Sequence, residues 1–210
     1  MQQLGFIEKL YKKYYSDRDY EQLDLFRLVK EKYGVTKIVY PGSFIHVSPA
    51  FIFTDAVFID SDKNAKKFFN DDKLSEFVTK RKEHDEIPRI IFHGIDYNKI
   101  IPKLVGQFDL MISQYAGFIS KACKEYLKIG GILLVNNSHG DAGLASIGKD
   151  YKFIAVVNKT KGKYRILEAS LWKYFILKKK IIVTEELIYN MGKGIGYTKT
   201  APLYIFERIS

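Results

Sequence analysis

Five short apolar segments, separated by segments with helical spacing, constrain the fold of this 210-residue chain more than any other feature. Each segment consists mainly of β-branched, aliphatic and aromatic residues and is followed by polar or turn-forming residues. The segments are residues 37–40, 56–59, 89–92, 108–113 and 132–135. Strands that alternate with helices form parallel βαβ units with both sheet faces covered. We therefore expect an α/β fold with a doubly wound, mainly parallel sheet.

The flanking regions extend this prediction to a single domain. Residues 1–34 have helical spacing and end at Gly34, which predicts two helices, the second capped by Asp17 or Asp19. A helix over 119–127, closed by Gly130 and Gly131, is expected before the fifth strand. The domain then comprises an N-terminal helical segment (1–34), a Rossmann-like core (35–157) and a basic, β-rich C-terminal elaboration (158–210). In that elaboration, residues 164–167 pair with 151–157, and 203–209 return a last strand to the sheet.

Composition excludes several classes of protein. Hydrophobic residues make up 47% of the chain, enough for a sizeable core. No apolar run approaches the ~20 residues of a transmembrane helix, and residues 1–4 lack the features of a secretory signal. The single cysteine, Cys123, excludes an intrachain disulfide, and its place among apolar residues indicates a buried side chain. We expect a cytoplasmic protein without membrane contact.

The net charge of +10 is concentrated in the last third of the chain. Residues 1–148 hold 21 basic and 19 acidic residues, whereas residues 149–210 hold 13 and 5. A one-sided basic segment suits nucleic acid or another acidic substrate. A lysine-rich face that serves solubility explains the same numbers.

The residues at the strand ends carry a family resemblance. Val-Tyr-Pro-Gly-Ser follows the first strand (39–43), Val-Phe-Ile-Asp-Ser-Asp spans the second (57–62), and Gly-Ile-Asp follows the third (94–96). Phe-Asp-Leu-Met-Ile-Ser forms the fourth strand (108–113), and Leu-Lys-Ile-Gly-Gly-Ile-Leu-Leu leads into the fifth (127–134). In this order the blocks resemble the class I S-adenosylmethionine (SAM)-dependent methyltransferases, over roughly residues 36–157.

The resemblance implies SAM as cofactor and assigns residues to it. Asp60 matches the acidic residue that accepts hydrogen bonds from the ribose hydroxyls, and Asp96 matches the one near the adenine amino group. Gly42 matches the glycine that lets the backbone approach the methionine part, with the Ser43 hydroxyl beside it. Ser113, at the end of the fourth strand, borders the methyl-transfer centre.

Two further residues are candidate catalytic groups for an unidentified methyl acceptor. Tyr115 and His139 follow the fourth and fifth strands and could orient the acceptor or take its proton. For several candidates a structural role stays open: Asp60 or Asp62 could cap the next helix, His139 could be a surface loop residue, and His46 could satisfy a turn. The sequence has no metal-site motif, and the glycines of residues 192–196 do not lie between a clear strand and a helix.

Departures from the family pattern keep two other functions open. Tyr40 stands where the family has a carboxylate, and Phe44 stands where it has a second glycine. The chain could therefore be a non-catalytic methyltransferase-like protein that binds nucleic acid or protein. An aminopropyltransferase would use a decarboxylated form of the cofactor and an acidic residue after strand four, where this chain has Ser113 and Gln114.

Overall fold

The structure is a computed structural model that describes residues 5–210. Residues 1–4, on which the expectation of no secretory signal rests, lie outside the described part. No helix within residues 5–210 is both long and apolar enough to cross a membrane.

The described chain alternates helices and strands as the sequence predicts. The helices are α1 Phe6–Tyr14, α2 Leu23–Tyr33, α3 Pro49–Ile52, α4 Lys63–Phe69, α5 Leu74–Thr79, α6 Ile119–Ala122, α7 Asp141–Ile147 and α8 Glu185–Met191. The strands are β1 Lys37–Pro41, β2 Asp55–Ile59, β3 Arg89–His93, β4 Phe108–Ser113, β5 Leu127–Val135, β6 Tyr151–Thr160, β7 Lys163–Leu167 and β8 Leu203–Arg208.

All eight strands form one sheet in the order β3-β2-β1-β4-β5-β8-β6-β7. The first five are parallel, with pairs such as Val39↔Val57 and Met111↔Leu133. Strand β8 is antiparallel to both neighbours, and β6 and β7 form an antiparallel hairpin. The predicted mainly parallel α/β sheet is therefore confirmed, and the C-terminal elaboration supplies β7, α8 and β8.

The central strands are buried on both faces because helices cover each side. Along β1, Ile38 packs into the core on one face with the N-terminal helices, and Val39 packs into the core on the other face near α6 and α7. The same alternation occurs at Leu110 and Met111 of β4. This double burial explains why the strands are apolar runs rather than alternating ones.

The helix expected over residues 119–127 is wrong in its extent. Helix α6 ends at Ala122, and a 3₁₀ turn over Lys124–Tyr126 leads directly into β5. Gly130 and Gly131 lie inside β5, where its register with β4 shifts. A Cβ on Gly131 would lie 2.8 Å from Cγ of Leu127, so this glycine serves an irregular strand and not a helix terminus.

The caps expected at Asp17 or Asp19 are also wrong. Helix α2 begins at Leu23 after Gln22, whose φ is +59°, and no side chain caps it. A 3₁₀ turn over Ser16–Arg18 separates the two acidic residues from the helix, and the carboxylate of Asp19 contacts Lys159 at 3.3 Å instead. Gly34 ends the helix as predicted, with φ +64°.

Candidate functional site

The carboxyl ends of the parallel strands meet at one edge of the sheet, where ligands bind in folds of this kind. We divide that edge into two parts. The β1–β2 end comprises residues 42–46 and 60–62, and the β4–β5 end comprises residues 113–118 and 136–140. The loop after β3, which contains Asp96 and Tyr97, lies beside the first part.

A tight turn follows β1 and places backbone groups next to β2. The Gly42 N–H donates to the Ile59 carbonyl at 2.7 Å, and Gly42 has φ +65°. Phe44 has φ +47°, so the bulky residue that departs from the family pattern still adopts a left-handed conformation. Its ring packs edge-on against Tyr14, with centroids 5.0 Å apart. The predicted ligand Ser43 is buried, and its hydroxyl donates to the Phe44 carbonyl at 3.3 Å.

Asp60 connects this turn to the end of β2. One carboxylate oxygen accepts the Phe44 N–H at 2.7 Å, and the other accepts the Asp62 N–H at 2.8 Å. Each oxygen therefore retains a lone pair. Asp62 caps α4, because its carboxylate accepts the N–H groups of Asn64 and Ala65 at 2.6 and 3.2 Å. The capping role predicted for one of the two aspartates thus falls to Asp62.

Tyr97 reaches from the β3 loop to the β4 loop across the carboxyl edge. Its hydroxyl donates to the Ala116 carbonyl at 2.6 Å. Burial is the main cause that raises the pKa of Tyr97. The negative charge of Asp96 is the next cause and raises it further. Ala116 in turn covers Gly42: a Cβ on that glycine would lie 2.1 Å from the Ala116 Cβ. The space above Gly42 is closed by these contacts.

Asp96 is exposed, and its partners lie in its own loop. One carboxylate oxygen accepts both the backbone N–H and the side-chain amide of Asn98 at 2.9 Å. The first of these hydrogen bonds is the main cause that lowers the pKa of Asp96. The structure places Asp96 beside Tyr97 and leaves its other oxygen free of protein donors among the described residues.

His46 and Tyr40 belong to the core and not to an open ligand site. The His46 ring stacks on Tyr15 with centroids 4.5 Å apart, and its Nδ1 lies 3.3 Å from the Tyr40 hydroxyl. Burial lowers the pKa of His46 to about 3, so the imidazole is neutral at physiological pH. Of the two roles open from the sequence, the structure favours the structural one.

At the other part of the edge, a buried carboxylate joins β4 to α7. Asp141 is fully buried and accepts the Ser113 hydroxyl at 2.5 Å and the Ser120 N–H at 3.1 Å. The Ser120 hydroxyl also donates to it. Burial raises the pKa of Asp141 to about 6, although the serine hydrogen bonds oppose this shift. The Ser113 hydroxyl, assigned to the cofactor by resemblance, is thus directed to Asp141.

Asn136 links the two candidate catalytic residues. Its Oδ1 accepts the Tyr115 N–H at 3.5 Å and the Ser138 hydroxyl at 2.9 Å. The same hydroxyl lies 3.0 Å from Nδ1 of His139, a half-buried residue. Tyr115 is 61% exposed. The structure therefore brings Tyr115 and His139 to one loop cluster, through a residue to which sequence reasoning gave no role.

Gln114 follows β4, in the segment that the resemblance places at the methyl-transfer centre, and its partner Tyr20 had no predicted role. The Tyr20 hydroxyl donates to Oε1 of Gln114 at 2.7 Å, so the chain between α1 and α2 contributes to the site. Gln114 is 3% exposed. A polar residue directly after an apolar strand is a signal for such a position, but only the fold shows that Tyr20 meets it.

The C-terminal segment forms a wall beside the β4–β5 end. Phe118 packs edge-on against Tyr189 of α8 at 4.6 Å between centroids, and the Gly194 N–H donates to the Ser138 carbonyl at 3.3 Å. A Cβ on Gly194 would lie 2.3 Å from the Asn137 carbonyl oxygen. The glycine-rich loop therefore allows close packing against the β5 loop. Within residues 5–210 no group of three or more metal-ligating side chains occurs.

Comparison with known proteins supports this architecture. No protein-family model matches the sequence, and a search of curated proteins finds no match. Among solved structures, the chain is similar to the N-methyltransferase NodS from Bradyrhizobium japonicum WM9 in complex with S-adenosylhomocysteine, with TM-score 0.52, 10% identity and coverage of 98% of this chain and 94% of that one. It is also similar to an O-methyltransferase from Bacillus cereus in complex with S-adenosylhomocysteine, with TM-score 0.51, 10% identity and coverage of 79% and 90%. The chain has the Rossmann-like fold of the class I SAM-dependent methyltransferases.

Proposed function

We propose that the protein is a SAM-dependent methyltransferase. The observation that carries this proposal is the Asp60 carboxylate, which lies at the end of β2 and bonds to the turn after β1 in a sheet with methyltransferase strand order. Its two oxygens each keep a lone pair, as a vicinal ribose diol requires. Asp96 offers a free carboxylate oxygen at the end of the next strand, suited to the adenine amino group.

These residues fit the nucleoside part of SAM. Admission of the methionine part requires the contact between Tyr97 and Ala116 to open, because Ala116 covers Gly42. When bound, SAM would supply a methyl group on a sulfonium, which is already an activated leaving group. The protein's remaining task is to position the acceptor. Tyr115 and His139, joined through Asn136 and Ser138, are the residues available to orient it or hold its proton.

A second candidate function is a binding protein that has lost the cofactor. Two observations favour it. Tyr40 is buried against His46 and supplies no carboxylate to the turn, and the space above Gly42 is filled. An aminopropyltransferase has less support, because uncharged Gln114 follows β4 and the carboxylate bonded to Ser113 is the buried Asp141.

Calorimetric titration with SAM and S-adenosylhomocysteine tests the proposal. We expect the natural sequence to bind both, and Asp60→Ala to weaken binding at least tenfold, about 1.4 kcal/mol. Asp62→Ala is the matched control: it removes the cap of α4, which costs about 1 kcal/mol of stability, but leaves Asp60 in place. Tyr97→Ala removes the hydroxyl that holds Ala116. No binding of either compound by the natural protein and by Tyr97→Ala would exclude the methyltransferase and favour the binding protein.

A further inference from the structure

Two buried side-chain amides at the β4–β5 end have hydrogen-bonding capacity that the protein does not use. Gln114 and Asn136 are 3% and 6% exposed, and neither Nε2 of Gln114 nor Nδ2 of Asn136 has a partner in the part of the chain that the structure describes. An unpaired buried amide destabilises the folded protein. Native proteins rarely leave such groups unpaired, so each unpaired amide requires an explanation.

The partners of the two amide oxygens fix which atoms are left unpaired. The Asn136 oxygen accepts from the Tyr115 N–H and the Ser138 hydroxyl, so its nitrogen must be the free group. The Gln114 oxygen accepts from the Tyr20 hydroxyl at 2.7 Å, which leaves its nitrogen as the free group. The β4–β5 end therefore contains two N–H₂ donors and needs a ligand with acceptor atoms.

Tyr115 is joined to each amide side chain, directly to Asn136 and through Tyr20 to Gln114, and it has a strained backbone conformation. Its φ is +58°, a conformation that is strained for a bulky residue, yet its ring is 61% exposed and core packing does not require it. It contacts Tyr20, with ring centroids 6.1 Å apart and planes inclined by 59°. The exposed ring follows Gln114 in the chain, and its backbone N–H bonds to Asn136. An exposed aromatic ring at a site with unpaired amide donors is suited to a planar ligand that carries carbonyl oxygens or ring nitrogens.

The wall beside this site is positively charged. Lys178, Lys179, Lys180 and Lys193 are exposed. Within residues 5–210, the ion pairs of the C-terminal third involve other residues: Lys32–Glu168, Lys121–Glu185, Lys124–Asp150, Lys159–Asp19 and Arg208–Glu125. Two contacts attach this basic segment to the site: the carbonyl of Lys193 approaches Gly140, and the Lys178 N–H bonds to Gly196 in the same loop. Lysines without an ion-pair partner among the described residues, on the wall beside the β4–β5 end, suit the phosphates of a polynucleotide.

We propose that the β4–β5 end binds single-stranded nucleic acid. One base stacks on Tyr115, its acceptor atoms take the amide N–H groups of Gln114 and Asn136, and the adjoining phosphates lie along Lys178, Lys179, Lys180 and Lys193. Protein ligands fit less well, because a planar ring with acceptors and a chain of regularly spaced negative charges occur together in a polynucleotide. Binding of the strand is independent of the proposed function. Its role as methyl acceptor rests on that function.

Fluorescence anisotropy without SAM tests binding alone. The probe is a labelled single strand of about 12 nucleotides, as RNA and as DNA, titrated with the full chain from about 50 mM salt upwards. We expect saturable binding of at least one strand. Tyr115→Ala should weaken it about 5- to 150-fold, the effect of losing one stacked base, and Tyr115→Phe should retain it. Lys179→Gln with Lys180→Gln should reduce the salt slope by about 1.4, the value for two phosphates.

The matched control is Lys149→Gln with Lys152→Gln, which removes two exposed lysines of the same C-terminal third near the amino end of β6, at the opposite edge of the sheet. It should leave affinity and salt slope unchanged. Equal effects of the two lysine pairs, no effect of Tyr115→Ala, or no saturable binding would overturn the proposal. Competition by mononucleotides as strong as by the strand would also overturn it, in favour of a free nucleotide. SAM titration of the same Tyr115→Ala protein reports separately on the cofactor site.

Discussion

The β1–β2 end and the β4–β5 end lie side by side on one sheet, yet their polar groups are used in opposite ways. At the first, Asp60 accepts two backbone N–H groups, Asp62 caps α4, and His46 lies between Tyr15 and Tyr40. At the second, the amides of Gln114 and Asn136 stay unpaired although both side chains are buried. Internal pairing stabilises the first region, whereas the second retains capacity that only a ligand can use.

In a fold known for its cofactor, the capacity to bind a ligand can lie outside the expected cofactor residues. Family resemblance directs attention to Gly42 and Asp60, where the structure is closed by Ala116 and Tyr97. The unpaired donors lie at the neighbouring strand ends. The two ends are therefore expected to respond differently to mutation and to acid.

The largest change in the free energy of unfolding is expected at Gly42, where Ala116 fills the space. Gly42→Ala should lower the free energy of unfolding by about 2–5 kcal/mol, the sum of left-handed strain (about 1–2) and overpacking against Ala116 (about 1–3). Gly34→Ala is the control, because Gly34 has nearly the same φ, +64°, and open space around it. Gly34→Ala should lower the free energy of unfolding by the strain contribution alone, about 1–2 kcal/mol. Urea denaturation measures both, and equal losses would show that Ala116 does not restrict Gly42.

Acid should affect the two ends with opposite sign. The folded-state pKa of His46 is about 3, below the usual 6.5, so between these values the unfolded chain binds a proton that the folded chain does not. His46 therefore costs stability as pH falls, about 2 kcal/mol from pH 6.5 to 4.5. His46→Phe, which keeps an aromatic ring beside Tyr15, should remove this loss when unfolding is measured against pH.

At Asp141 we expect acid to change the free energy of unfolding in the opposite direction. Its folded-state pKa is raised from 3.8 to about 6, so between these values the folded chain binds the extra proton and gains stability as pH falls. Asp141→Asn should therefore steepen the acid loss, whereas His46→Phe reduces it. Changes of the same sign in the two variants would contradict the assigned protonation states.

The smallest changes in the free energy of unfolding are expected at two aromatic residues with the same unfavourable backbone conformation. Phe44 and Tyr115 have φ +47° and +58°. Phe44→Gly should lower the free energy of unfolding by about 2 kcal/mol, because relief of strain does not compensate for the lost packing on Tyr14. Tyr115→Gly should gain up to about 1 kcal/mol, because an exposed ring contributes little to stability. Chemical denaturation decides between them, and a loss at Tyr115 as large as at Phe44 would mean that Tyr115 is a packing residue.

The sequence was sufficient to predict the parallel strands, because strands buried on both faces need continuous apolar runs, but it did not give the strand order after residue 157. Strand β4 has the predicted limits, Phe108–Ser113, and β8 differs from the prediction by one residue. The failures arose where local patterns compete with tertiary contacts. Gly130 and Gly131 have the appearance of a helix stop, but the packing of Leu127 places them in a strand irregularity.

The candidate site was less predictable, for a physical reason. Strand-end polar residues could be identified, but hydrogen-bond partners depend on residues distant in sequence. The partner of Ser113 is Asp141, and the partner of Gln114 is Tyr20, 94 positions away. That Phe44 adopts the backbone conformation of a glycine, and that Ala116 covers Gly42, are likewise matters of three-dimensional packing.

The position of β8 has a consequence for how the protein is made. Residues 203–208 lie between β5 and β6, and pairs such as Leu134↔Ile205 join positions far apart in the chain. During synthesis β5 and β6 therefore emerge long before the strand that separates them, and each exposes an unpaired edge until it arrives. Late insertion of a strand predicts slow completion of folding and an interval in which the nascent chain is prone to aggregate.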